Sequence, residues 1–171
     1  MDIKEREENV TFKKILGKFL FSPAYKAVVY FRLAQYFAKK NSAISLFFFI
    51  HNFKTTGAEI NLKAKIEKGF HIAHPNGIVI GAGVRIKKRV TIYQGVTLGA
   101  KVMNSSKKGG DLSFYYPLVE DDVIIYAGAK IIGPVTIGKG SIVGANAVIL
   151  KSVPIKSVAF GIPAKISQAK N

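Results

Sequence analysis

The sequence predicts a mainly β fold: a three-sided solenoid of short parallel strands that follows an N-terminal α-helical segment. Three observations predict it. Aliphatic residues recur every six positions from Gly57 onward, Gly and other turn-tolerant residues fall between them, and before Gly57 the apolar residues instead recur at three-and-four spacing. The chain therefore divides into a helical segment, 1–56, and a β domain, 57–171.

In the helical segment, Phe12, Ile15, Leu16, Phe19 and Leu20 form an amphipathic stripe between Lys13, Lys14 and Lys18. Ser22-Pro23 reads as an N-cap followed by proline at the first helical position. The helix it opens is expected to run to Lys39-Lys40, whose charges suit a helix C-terminus, with Asn41 ending it. Ser42 is expected to cap a third helix. Its sequence, ISLFFFIHNF, is apolar nearly all round and must be buried against its own domain, another subunit or a membrane surface.

In the β domain, Ile60, Ile66, Ile72, Ile78, Val84, Val90, Val96 and Val102 read as one column of β-branched residues at a spacing of six. A second column, Leu62, Ile80, Ile86, Ile92 and Leu98, resumes at Val119, Ile125, Ile131, Ile137, Val143, Ile149 and Ile155. A strand and a corner every six residues, three to a coil, stack these columns into a continuous core; this is the hexapeptide parallel β-helix. The break between Leu98 and Val119 marks a long excursion loop, about 100–118, rich in Lys, Ser and Gly and then abruptly aromatic.

Composition narrows the chemistry. The 171 residues include no Cys, which excludes a disulfide framework, a thiolate nucleophile and zinc-thiolate or iron-sulfur sites. Apolar runs such as Leu46 to Ile50 are too short to span a bilayer, and the mixed-charge start MDIKEREENV lacks the pattern of an export signal, so a cytoplasmic location is expected. The net charge of +16 suits an anionic partner, whether phosphorylated small molecule, anionic lipid or nucleic acid. That charge is spread along the chain with no basic arm, so nucleic acid is not expected. Three scattered His residues do not suggest a metal site, and Glu120-Asp121-Asp122 reads as a corner rather than a calcium loop.

Particular phrases go beyond the repeat: AYKAVVYFRLAQYFAKK (24–40), TGAEI (56–60), HPNGIVIG (74–81), QGVTLGA (94–100), AGAKIIG (127–133), VGANAVILKSVP (143–154) and GIPAK (161–165). With them the chain resembles the hexapeptide-repeat acyltransferases, specifically the serine acetyltransferase branch and its relatives that acetylate bacterial surface polysaccharides. The resemblance implies a left-handed β-helix, a homotrimer, and acetyl-CoA bound as co-substrate in the groove between neighbouring prisms, with no metal.

It also implies roles. His74 matches the family's catalytic histidine, and a hydroxyl attacking a thioester needs such a general base. Glu59 matches the acidic partner of that histidine. Asn76, Gln94, Tyr115 and Tyr116 are the acceptor-binding candidates. Ala127, Gly128 and Ala145 would line the pantetheine slot, and Lys130 and Lys165 would meet the phosphates of the coenzyme.

The departures from serine acetyltransferase point to a different acceptor. Ala73 stands where that enzyme has an acidic residue for the substrate amine, and Tyr115-Tyr116 stand where it has an Arg-His pair before proline. An amino acid would arrive with both charges unpaired, whereas aromatic rings suit the apolar faces of a sugar. The expected function is therefore acetyl-CoA-dependent O-acetylation of a sugar hydroxyl of a surface polysaccharide or its precursor, and the apolar helical stretches add an expectation of peripheral contact with an anionic membrane. Serine O-acetylation and a non-catalytic membrane-surface scaffold are the alternatives.

Overall fold

The computed structural model describes residue 17 and residues 19–101 and 115–168. Helix α1 spans Pro23–Phe37 and α2 spans Ser42–Thr56. The Ser22 side chain caps α1 by accepting from the Tyr25 amide at 3.2 Å, as the Ser-Pro pair predicts. The α1 helix stops at Phe37, before the two lysines. Asn41, not Ser42, caps α2: its Oδ1 accepts from the amides of Ala43 and Ile44, and Ser42 is already helical. A helix covers Phe19 to Phe21, whereas Phe12, Ile15 and Leu16 lie outside the described residues.

Of the three expected ways to cover the apolar side of α2, the chain's own domain is not the one used for most of it. The inward side of the helix is polar: Ser45 Oγ donates to the Ala34 carbonyl, Asn52 Nδ2 donates to that of Ala27, and Thr56 Oγ1 donates to that of Asn52. Leu46, Phe47, Ile50 and Phe53 face out, 42–59% exposed. The two helices are fixed to the β domain by α1, where Arg32 donates to the carbonyls of Ile66 and Glu67 and Gln35 to those of Leu62 and Ala64. Ala27, Val28 and Phe31 join the same core as the β residues. Among the described residues, no helix is long and apolar enough to cross a membrane.

After Gly57, which ends α2 at φ +70°, fifteen strands follow among the described residues. They are β1 (Glu59–Ile60), β2 (Lys65–Ile66), β3 (His71–Ile72), β4 (Val79–Ile80), β5 (Arg85–Ile86), β6 (Thr91–Ile92), β7 (Thr97–Gly99), β8 (Leu118–Val119), β9 (Ile124–Ile125), β10 (Lys130–Ile132), β11 (Thr136–Ile137), β12 (Ile142–Val143), β13 (Val148–Ile149), β14 (Ser157–Phe160) and β15 (Lys165–Gln168). Up to β14, consecutive strands do not pair; each turns a corner into another face. The faces are β1-β4-β7-β10-β13, β2-β5-β8-β11 and β3-β6-β9-β12-β14-β15, parallel throughout except for the antiparallel return of β15. In the two-residue strands the first side chain points out and the second into the prism, as the period of two demands. On the third face the inward column is Ile72, Ile92, Ile125, Val143 and Ala159, each at most 1% exposed.

The register corrects the expected columns. Ile60 pairs with Ile80 and Ile72 with Ile92, so this first coil is 20 residues long, whereas Val79 to Thr97 takes 18. Ile60, Ile66 and Ile72 therefore continue as Ile80, Ile86, Ile92 and Leu98. Ile78, Val84, Val90 and Val96 continue a different inward column, that of Ala58, Ala64 and Phe70. Both columns point inward and both are aliphatic, so a two-residue insertion moves one onto the other without breaking the apparent spacing of six. The inserted residues fall in the corner between β3 and β4, at Ala73 to Asn76. A second correction lies at the far end: Ile142 pairs with Val158 after only 16 residues, which puts Val153 on the core column and leaves Ile155 65% exposed. The excursion adds 15 residues, since Leu118 follows its partner Arg85 by 33 where Thr136 follows Leu118 by 18. Val102 and Phe114 lie outside the described residues.

Candidate active site

The corner at which the third face turns into the first forms a ridge of backbone-to-backbone contacts. The amide of Gly77 donates to the carbonyl of Gly57, that of Gly95 to Asn76, that of Gly128 to Gln94 and that of Asn146 to Ala127, at 2.8–3.0 Å. Each of these donors sits in the left-handed region, with φ of +70°, +68°, +72° and +55°. Glycine suits the middle positions: a Cβ on Gly95 would stand 3.5 Å from the Cα of Gly128, on a backbone that L side chains rarely adopt. Asn146 tolerates the same conformation as a residue type enriched there, and its side chain lies over Gly128.

This ridge brings together most of the sequence candidates. His74 and Asn76 stand on its lowest coil, Gln94 on the next, Ala127 and Gly128 above, and Ala145 beside Asn146 higher still. His74 is exposed at the inserted corner. Among the described residues its one aromatic contact is the ring of Tyr93, with centroids 6.5 Å apart.

Other candidates stand elsewhere in the chain. Glu59 projects outward from β1, in register with Val79 on the first face, and makes no hydrogen bond or ion pair with His74. Tyr116 lays its half-buried ring over Gly81, at the corner between the first and second faces. The Tyr115 carbonyl accepts from the Lys101 amide at 3.3 Å, so the two tyrosines close the neck of the excursion. Lys130 Nζ donates to the Gly95 carbonyl at 2.5 Å, which ties it to the ridge. Lys165 is exposed on β15, opposite Phe160. The acidic corner behaves as a turn: Asp122 chelates Arg89 through Nε and Nη2 at 2.6 and 3.0 Å, and Asp121 accepts the Lys88 amide.

The sequence reading missed Tyr93 and Tyr126. Each directly follows a core isoleucine, Ile92 or Ile125, which pair in the third face, so the two rings stack at 5.1 Å and 30°. That shared offset was the available signal.

Comparison with known proteins gives one direction. Residues 116–151 match the bacterial transferase hexapeptide (six repeats). The serine acetyltransferase of Bacillus licheniformis is 38% identical over 138 residues, covering 81% of this chain and 57% of that protein. The serine acetyltransferase of Staphylococcus aureus is 43% identical over 129 residues, 75% of this chain and 54% of that one. A solved serine acetyltransferase in complex with CoA superposes with a TM-score of 0.75 at 33% identity, covering 86% of this chain and 58% of that chain. The chain thus shares the left-handed β-helix of these proteins while spanning little more than half their length.

The expectation of a polysaccharide acceptor is corrected by these findings, because the similar proteins are serine acetyltransferases. The structure supplies a physical reason why the aromatic argument failed. Tyr116 is used against Gly81 as an anchor of the loop, so it is not a ring left open on the His74 ridge for a sugar.

Proposed function

From its shared hexapeptide β-helix and its 38–43% identity to serine acetyltransferases, we propose that the chain is an acetyl-CoA-dependent O-acetyltransferase whose acceptor is L-serine. The observation that carries this reading is the ridge itself: an exposed histidine at its base, with small residues and Asn76 and Gln94 stacked along it. A thin, extended pantetheine arm would lie along Ala127, Gly128 and Ala145, beside the Asn146 side chain that lies over Gly128. Exposed Lys165, at the far end, suits the coenzyme phosphates, whereas Lys130 would have to leave the Gly95 carbonyl to reach them.

In the proposed reaction His74 takes the proton from the serine hydroxyl as its oxygen attacks the thioester carbonyl. The C–S bond breaks, the acetyl group passes to oxygen, and the leaving thiolate is protonated to give free CoA. No acyl-enzyme is needed. Glu59 would steady the imidazolium only after a side-chain movement.

The assembly is proposed as a homotrimer with the coenzyme in the grooves between prisms. The outward Leu46, Phe47, Ile50 and Phe53 face of α2 fits contact between copies in such an assembly. A cytoplasmic location suits this chemistry. The test is release of free thiol from acetyl-CoA on addition of L-serine, free of protein background because the chain has no cysteine. Turnover with serine, lost in His74→Ala, is expected; a folded chain that binds CoA but gives no serine-dependent release would overturn the reading.

A further inference from the structure

His74 carries a mechanical problem that the reading above leaves unsolved. The imidazole stands exposed on an inserted corner, and no described residue hydrogen-bonds to it, Glu59 included. A side chain in that setting samples several rotamers, while a general base must meet the acceptor hydroxyl in one geometry.

We infer that Tyr93 is the positioning residue for His74, and that Tyr126 holds Tyr93 in place to do so. The parallel register of β3, β6 and β9 sets this up. Ile72, Ile92 and Ile125 share one inward column, so the residues after them, Ala73, Tyr93 and Tyr126, share one outward column at a rise of about 4.8 Å per coil. Ala73 contributes no ring, which leaves the lower face of Tyr93 to His74, one residue further along, at 6.5 Å between centroids and 57° between planes. The upper face of Tyr93 is covered by Tyr126 in an offset stack at 5.1 Å and 30°. The ladder ends there: the next residue in the column is Gly144, whose amide donates to Ala159 as that of Tyr126 does to Val143. Tyr93 is half-buried, whereas Tyr126 is 38% exposed, consistent with one ring acting on the base and the other as its backing.

The inference rests on His74 being the base of the proposed acetyl transfer, and it assigns the effect to the ring rather than to the phenol hydroxyl. The experiment uses the full chain with Tyr93→Phe, Tyr93→Ala and Tyr126→Ala. Two quantities are read: serine-dependent thiol release, and the His74 imidazole C–H resonances, assigned by their loss in His74→Ala. Tyr93→Ala is expected to lower kcat roughly tenfold with KM for acetyl-CoA within about twofold, and to remove the ring-current shift of the His74 resonances. Tyr93→Phe restores both, and Tyr126→Ala falls between. An unchanged denaturation midpoint separates positioning from loss of fold. Wild-type kcat together with unmoved imidazole resonances in Tyr93→Ala would overturn the inference, as would a Tyr93→Phe variant as impaired as Tyr93→Ala. The underlying reading fails separately: a wild-type chain without serine turnover whose His74 resonances still respond to Tyr93→Ala loses the proposed reaction and keeps the contact.

Discussion

In the proposed reaction, Ala73 is the residue on which acceptor preference would turn. The resemblance places an acidic side chain at this position in serine acetyltransferases, where it meets the substrate amine, and here the side chain is a methyl group. A serine bound beside His74 as proposed would lack one charge-assisted hydrogen bond, worth about 1.5–3 kcal/mol. Ala73→Asp is expected to lower KM for L-serine roughly tenfold, with kcat changed far less, in the thiol-release assay; an unchanged KM would detach this position from the acceptor. His74 is singled out by the sequence because its chemistry and its motif coincide, and its role stays with the proposed reaction. Tyr93 is not singled out, because a tyrosine after a core isoleucine looks like any outward strand residue until the register puts Tyr126 above it and His74 below.

At the scale of elements, α2 shows which of its positions meet the rest of the chain. Its ten-residue apolar stretch is expected to be buried against its own domain, another subunit or a membrane surface; within the chain, the helix turns Ser45, Asn52 and Thr56 toward α1 and the prism and leaves most of the apolar residues open. The hydrogen bonds to the Ala34 and Ala27 carbonyls explain why, since these polar groups close the gap between two helices packed near their backbones. Composition alone cannot show this, because an apolar majority hides which few positions make the contact. In the proposed trimer, Phe47, 59% exposed, would meet another copy of the chain. Phe47→Lys is expected to shift the sedimentation profile from trimer toward monomer with helix content kept, and a variant that stays trimeric would remove α2 from the subunit contact.

For the whole molecule, stability resides in the stacked inward columns. Ile125, fully buried between Ile92 and Val143, is expected to cost about 2–5 kcal/mol as Ile125→Ala. Ile155→Ala is expected to stay within about 0.5 kcal/mol, because the short final coil has moved that residue out of the column. Denaturant midpoints check both, and equal losses would contradict the register. The solenoid itself was legible from its period; its phase was not, because at Ala73 to Asn76 two aliphatic columns change places without a visible gap. That same insertion carries the candidate base onto the ridge. The account therefore stands most directly on one measurement: thiol release from acetyl-CoA with L-serine, wild type against His74→Ala. It predicts serine-dependent release that falls at least about a hundredfold in the variant. Equal release from both proteins, or none with serine from a folded wild type that binds CoA, would contradict it.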